Sequence, residues 1–210
     1  MNSRIILIEG IPGTGKTTLI NLLIKRYVTE NEKIKTLFHL SQLHTYRPIV
    51  SDEDNFYASK TETLNHLKKK LQLFNWSVSV GNNKNCNRVF IIIDTLHITH
   101  CFRPGSISWT DVVEYDKLLA AIDCKLIFMK AFPETIWHGA ILKRNEADNL
   151  YLTKYQKKYG NNLEEIHQYY MTEQDKMERL IKESSLNAIT LNSENKMQIN
   201  QDIAYDFWIK

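Results

Sequence analysis

Residues 10–17 read Gly-Ile-Pro-Gly-Thr-Gly-Lys-Thr, a complete phosphate-binding loop of the form G-x-x-x-x-G-K-[ST], or Walker A motif. The spacing has a physical cause. Gly10, Gly13 and Gly15 let the backbone take conformations closed to other residues and bring its N–H groups close to phosphate oxygens. A helix that starts at the loop turns its free N–H groups and positive dipole end toward the same anion. Lys16 is expected to reach the β- and γ-phosphates of ATP, and the Thr17 hydroxyl to hold Mg²⁺. Thr14 contributes through its backbone; Thr18 is a weaker candidate, as readily an ordinary first-turn residue.

Asp94 is the second chemical candidate. It ends the run Val89-Phe90-Ile91-Ile92-Ile93, where a buried strand brings a carboxylate to the edge at which open α/β sheets bind ligands. It could hold Mg²⁺ through water or accept a proton from an attacking hydroxyl. No Glu follows it to activate water, which disfavours hydrolysis as the main task. Neither an Asn-Lys-x-Asp base-reading motif nor an Asp-x-x-Gly switch is found, which disfavours a GTPase.

Two polar clusters have no obvious packing role. One holds Gln42, His44 and Arg47, after the second expected strand; the other holds His97, His100 and Arg103, just beyond Asp94. Both are expected over the C-terminal edge of the sheet. Histidine can donate, accept or shuttle a proton near neutral pH. Arg103 could clamp an anionic acceptor or offset charge on a transferring phosphoryl. His97 and His100 are spaced for one helical face, but no third zinc ligand is evident. Trp109, Tyr115, Trp137 and the tyrosine-rich stretch 151–170 read first as core, with Tyr115 kept as a candidate substrate contact.

The elements that must position these groups follow from periodicity. Arg4–Glu9 is a short apolar run expected as a buried strand, and Lys16–Val28 a helix buried on most of its circumference. Further strands are expected over Lys33–Phe38, Arg88–Asp94, Lys125–Phe132 and Asn187–Leu191. Helices are expected over Thr61–Phe74, Asp111–Ile122, Pro133–Ala147, Leu163–Ser184 and Gln201–Ile209. Strands alternating with helices at this rhythm predict a three-layer α/β/α domain, with a central parallel sheet of about five strands and a helical lid region. With 210 residues, 43% of them hydrophobic, one domain over 1–210 accounts for the chain, 143–160 being the lid segment.

The net charge of +3 demands neither nucleic acid nor membrane and suits a polyanionic small substrate. The Lys68-Lys69-Lys70 run reads as a solvated helix face. Cys86, Cys101 and Cys124 have no metal-like spacing and read as thiols of a reducing compartment. The first strand is expected by residue 4, so no signal peptide is expected, and the apolar runs are too short to cross a bilayer. A cytoplasmic location is the expectation. A homodimer is compatible with the sequence, which does not fix the oligomeric state.

The chain resembles the nucleoside and nucleotide kinases, and within them the thymidylate kinase and deoxynucleoside kinase group. Ile5 to Thr18 is similar to their first strand and loop. Phe132-Pro133-Glu134-Thr135-Ile136 resembles the segment leading into their lid-bearing helix, with Lys143-Arg144 where lid basic residues begin. Leu163 to Tyr170 resembles their late helix. Two departures concern the acceptor side. Those kinases usually place Arg after the acidic residue of the third strand, where Thr95-Leu96-His97 follows Asp94 here. Their lids usually carry at least two spaced arginines, where Lys143-Arg144 is followed here by Asn145-Glu146-Ala147-Asp148; Lys154, Lys157 and Lys158 are candidate stand-ins.

The resemblance and the motif together imply transfer of the γ-phosphoryl of ATP-Mg²⁺ to a small-molecule acceptor, first a nucleoside or nucleotide. Lys16, Asp94, Arg144 and Arg103 would carry the chemistry, and Gln42, His44, Arg47, His97, Arg103 and Tyr115 the acceptor. A non-nucleotide acceptor such as an antibiotic, and a nucleotide-binding switch with little turnover, are the alternatives.

Overall fold

The computed structural model describes residues 4–30, 36–41, 59–81, 89–101, 107–147 and 159–209, with the side chains of Arg144 and Ala147 excepted. Five parallel strands form one sheet in the order β2-β3-β1-β4-β5: β1 Arg4–Glu9, β2 Thr36–Leu40, β3 Val89–Asp94, β4 Cys124–Lys130 and β5 Asn187–Asn192. β1 lies at the centre, with Ile8 opposite Asp94 on one side and Glu9 opposite Phe128 on the other. The chain builds β2 and β3 on one side of β1, then crosses to β4 and β5. The loop after β1 therefore opens at the point where the strand order reverses, the position at which such sheets bind ligands.

Alternation along the strands divides the core. Ile5, Leu7, Ile91, Ile93, Leu126 and Phe128 belong to one apolar cluster, and Ile6, Ile8, Phe90, Ile92, Ile127 and Met129 to the other. The three central strands are apolar on both faces because helices cover both. The first cluster takes in residues of α2 (Lys60–Gly81), α4 (Trp109–Ala121) and α7 (Leu163–Glu183), which follow the four-residue helix α3 (His97–His100) in part or precede it. The second takes in α1 (Lys16–Glu30) and α8 (Met197–Ile209), where Tyr27, Phe90 and Trp208 pack edge to face and tilted.

Local signals explain the helix starts. Ser108 and Asp111 form a reciprocal capping box at α4, and the Asn162 side chain accepts from the Glu165 amide at α7. The expected helix over Pro133–Ala147 is divided. Pro133–Ile136 is α-helical (α5), Trp137–Leu142 forms a π-helical turn, and Lys143–Ala147 (α6) follows. The expected Thr61–Phe74 helix runs on to Gly81, because Phe74, Ser77 and Val78 continue its inward stripe. The second strand runs on past its expected end at Phe38 to Leu40, residues 33–35 of the expected strand lying outside the described residues, and the last helix starts earlier than expected, at Met197. Lys68 and Lys69 are exposed on α2, as a solvated face requires.

Candidate functional site

The loop between β1 and α1 takes its shape from its glycines. Gly10, Gly13 and Gly15 have φ of 147°, 88° and 87°, a region that L side chains rarely enter. Space excludes side chains as firmly. A Cβ on Gly13 would lie 2.5 Å from the Cβ of Ala140 in the π turn, and one on Gly10 2.6 Å from the Met129 carbonyl oxygen. A Cβ on Gly15 would meet Met197, the first residue of α8, at 3.0 Å. The loop is thus seated between the end of β4, the π turn and the start of α8. The Thr14 hydroxyl, fully buried, donates to the Ile11 carbonyl at 3.0 Å, so Thr14 offers a ligand its backbone and not its side chain.

Lys16 is 7% exposed and its ammonium donates to the carbonyls of Gly10 at 2.6 Å and Ile11 at 2.9 Å. This holds the cation over the loop's own backbone. Thr17 and Thr18 are exposed on the first turn of α1. The free N–H groups of that turn and the dipole of a 15-residue helix point the same way.

Asp94 and Glu9 end adjacent strands. Asp94 lies two residues beyond Ile92, which packs on the α1 and α8 side; Glu9 lies two beyond Leu7, which packs on the α2, α4 and α7 side. The period of two therefore directs the two carboxylates to opposite faces. Asp94, 6% exposed, accepts the Thr95 hydroxyl at 3.0 Å. Glu9, fully buried, accepts the Leu96 amide on Oε1 at 2.8 Å and the Thr99 hydroxyl on Oε2 at 2.5 Å. Burial pushes the Glu9 carboxyl above its ordinary range; the Thr99 hydroxyl, the Leu96 amide and the charges of His97 and Lys16 pull it down without cancelling that.

Thr95 takes a left-handed φ of 65°, uncommon for a β-branched residue, as the chain turns from β3 into α3. The turn is held from several sides. The Thr95 amide donates to the Ile8 carbonyl at 3.0 Å, and His97 Nε2 lies 2.9 Å from Asp116 Oδ1 on α4. Asp116, fully buried, also accepts the Ser184 hydroxyl at 2.7 Å and the Ser185 amide at 2.6 Å, which ties α4 to the end of α7. Burial alone would raise the Asp116 carboxyl. The bonds from His97 and Ser184, the His97 charge and the Ser185 amide outweigh it and hold the group below its usual value.

His97 is therefore not the open acceptor contact expected from sequence. Its ring is fully buried, stacked on Trp109 at 6.1 Å and tilted against Tyr115 at 5.4 Å. Tyr115 is likewise turned inward, its hydroxyl buried and its pKa raised, by desolvation first. Among the described residues, His97 Nδ1 and the Tyr115 hydroxyl have no hydrogen-bond partner. Both belong to the packing behind the turn. Cys101, pushed up to about 12 by burial first and by Glu9 and Asp111 second, remains a thiol.

The edge beyond β4 and β5 is equally braced. Glu194 accepts the Phe132 amide at 2.7 Å and the Thr135 hydroxyl at 3.0 Å, fastening the β5–α8 turn to the start of α5. Gln174 of α7 exchanges two 2.9 Å bonds with the backbone of Ala131. The structure thus gathers Gly10, Gly13, Thr14, Gly15, Lys16, Thr17, Thr18 and Asp94 at one sheet edge. Arg144 lies in α6; Gln42, His44, Arg47 and Arg103 lie outside the described residues, as do 148–158 of the expected lid. Thr17 and Asp94 are the hard oxygen donors, hydroxyl and carboxylate, that suit Mg²⁺. Sequence reasoning missed Glu9. Its one signal was an acidic residue ending an otherwise apolar strand directly before the first loop glycine.

No family model and no curated protein sequence matches the chain. Solved structures do. A YorR protein from Bacillus subtilis, in complex with phosphorylated GDP, aligns over 97% of this chain and 95% of its own, with a TM-score of 0.55 at 14% identity. A thymidylate kinase from Ehrlichia chaffeensis aligns over 99% of both chains, with a TM-score of 0.55 at 13% identity. The chain has the fold of the P-loop nucleotide kinases.

Proposed function

We propose that this protein is an ATP-dependent kinase that transfers the γ-phosphoryl of ATP-Mg²⁺ to a small molecule, with a nucleoside or nucleotide as the leading acceptor. The observation that carries the reading is the loop itself. Three glycines in positive φ shape the loop, with a buried lysine held over its backbone and a buried carboxylate on the adjacent strand. Phosphoryl transfer needs little covalent help from a protein; it needs positioning and compensation of charge spread over the transferring oxygens. Loop amides and Lys16 supply both. Incoming phosphate oxygens would take over the Lys16 ammonium from the Gly10 and Ile11 carbonyls.

Thr17 and Asp94 would hold Mg²⁺, which, when bound, neutralises charge between the β- and γ-phosphates. Asp94 sits on the same sheet face as α1, the helix that opens the loop, which favours a metal-holding role over proton abstraction. Arg144 and Arg103 are the proposed cations for the transition state. The nucleotide acceptor is supported by whole-length likeness to a thymidylate kinase and to a protein holding phosphorylated GDP.

The test is acceptor-dependent ADP release by the purified chain. Thymidine, its 5′-monophosphate, guanine nucleotides and hydroxylated antibiotics form the panel, and the Asp94→Asn variant the control. A nucleoside or nucleotide kinase releases ADP with one of the first three classes, and Asp94→Asn loses turnover while ATP affinity changes little. ADP release at one rate with or without every acceptor would overturn the kinase reading in favour of a nucleotide switch.

A further inference from the structure

We propose, on the kinase reading above, that Glu9 is the positioning residue of the acceptor side: it clamps the Thr95–His100 turn in place and does not itself exchange a proton with substrate. Both of its oxygens are engaged, Oε1 by the Leu96 amide and Oε2 by the Thr99 hydroxyl. The side chain is fully buried on the α2, α4 and α7 face, while Asp94 serves the α1 face that carries the phosphate loop. A carboxylate so placed and so bonded is suited to fixing backbone.

The turn needs such a clamp. Thr95 is held at a φ of 65°, a conformation that persists only where the surroundings over-determine it. Helix α3 is four residues long, far below the length at which a helix holds itself together. Among the described residues no side chain caps its start; the amide of its preceding residue, Leu96, is the one Glu9 accepts. Glu9 reaches this turn across 87 and 90 residues of sequence, from the strand that delivers the phosphate loop. The same residue thus joins the donor loop to the turn beyond Asp94, and their separation sets the distance an acceptor must span for in-line transfer.

Two variants separate a clamp from a chemical carboxylate. Glu9→Gln keeps the shape and an acceptor oxygen for the Leu96 amide, while its NH₂ can donate to Thr99. Glu9→Ala removes both bonds. Hydrogen exchange over Leu96–Cys101 in the full chain reads the clamp without any ligand. Protection at Leu96 is expected to fall by about tenfold or more in Glu9→Ala, and by less in Thr99→Val, with Glu9→Gln close to the parent. ADP release with ATP-Mg²⁺ and thymidine 5′-monophosphate as probe then reads function. Glu9→Ala is expected to raise the acceptor KM by about tenfold with ATP KM nearly unchanged, and Glu9→Gln to restore it.

Unchanged exchange at Leu96 in Glu9→Ala and Thr99→Val overturns the clamp. So does a Glu9→Gln enzyme with native exchange but an acceptor KM raised as far as that of Glu9→Ala, because the charge itself would then be required. Should Glu9→Ala fail to fold, Thr99→Val and Glu9→Gln still decide the matter. Absence of ADP release from the parent with every acceptor tested defeats the kinase reading alone, and the exchange result still decides the clamp.

Discussion

The phosphate loop and the turn after Asp94 leave neighbouring strands at the same sheet edge, yet they are built in opposite ways. The loop is shaped by backbone. Its glycines enter positive φ, and its internal bonds, from Thr14 to Ile11 and from Lys16 to Gly10 and Ile11, span three to six residues. The turn is shaped by side chains that arrive from elsewhere. Glu9 comes from β1, Asp116 from α4, and Ser184 holds Asp116 from 68 residues away. A backbone device repeats wherever anion binding is needed. A side-chain device depends on residues brought together from far apart in the sequence, so the turn rests on the whole fold and not on a local motif.

The sharpest break of the comparison acts on the loop. Lys16→Ala removes the cation aimed at the transferring phosphates and is expected to lower turnover by about 10²-fold or more. The Lys16 ammonium bonds the carbonyls of two buried residues, so a modest fall in melting temperature without nucleotide is expected beside the loss of turnover. ATP-Mg²⁺ should raise the melting temperature of the parent by linkage and raise that of the variant less. Activity within twofold of the parent would remove the loop from the chemistry.

Gly13→Ala tests whether geometry, apart from charge, makes the loop. The new Cβ would lie 2.5 Å from that of Ala140 and would occupy a φ of 88°. Overpacking and backbone strain together are expected to cost about 2–4 kcal/mol, read by denaturant unfolding. Ala140→Gly in the same chain should recover the steric share and not the strain. An equal loss in single and double variants would mean that the π turn does not seat the loop.

On the turn, Asp116→Asn leaves three donors facing a group that can accept at one oxygen only. The expected loss is about 2–3 kcal/mol at neutral pH. The sign of its pH dependence is fixed. Asp116 is held below its unfolded value, so its contribution is present above the unfolded carboxylate range and is lost as pH falls through the folded value. The gap between parent and Asp116→Asn should therefore narrow toward acid pH. A gap constant from neutral to acid pH would mean that the carboxylate charge contributes nothing.

These contrasts also explain what could be read from sequence. Strand runs such as Val89–Ile93 are apolar on both faces, and the loop motif is local, so the parallel sheet, its five strands and the place of the glycine loop between β1 and α1 were legible. The π turn was not, because Pro133 and the apolar spacing after it look the same whether the chain hydrogen-bonds to four residues back or to five. His97 was legible as a residue near Asp94 but not as a core residue. Its partner Asp116 sits within an ordinary amphipathic helix, and nothing local marks an aspartate that will be buried. Glu9 was hidden for the same reason, since both of its partners lie almost half the chain away.

The smallest expected effect bears on Glu9 and runs opposite to that of Asp116. Here burial wins, and the folded-state pKa stands above the unfolded one. For such a group the stabilising contribution is complete below the unfolded value and declines as pH rises through the folded value, because the folded protein must then carry a buried charge. Glu9→Gln removes that titration while keeping the shape that Leu96 and Thr99 grip. The variant should melt at or slightly above the parent at pH 8, with the difference closing toward pH 4. If the parent gains on Glu9→Gln as pH rises, the ionised form is the one the fold prefers. The bonds from Thr99 and Leu96 would then outweigh desolvation at Glu9 as the corresponding bonds do at Asp116, and the two buried carboxylates of this edge would be alike.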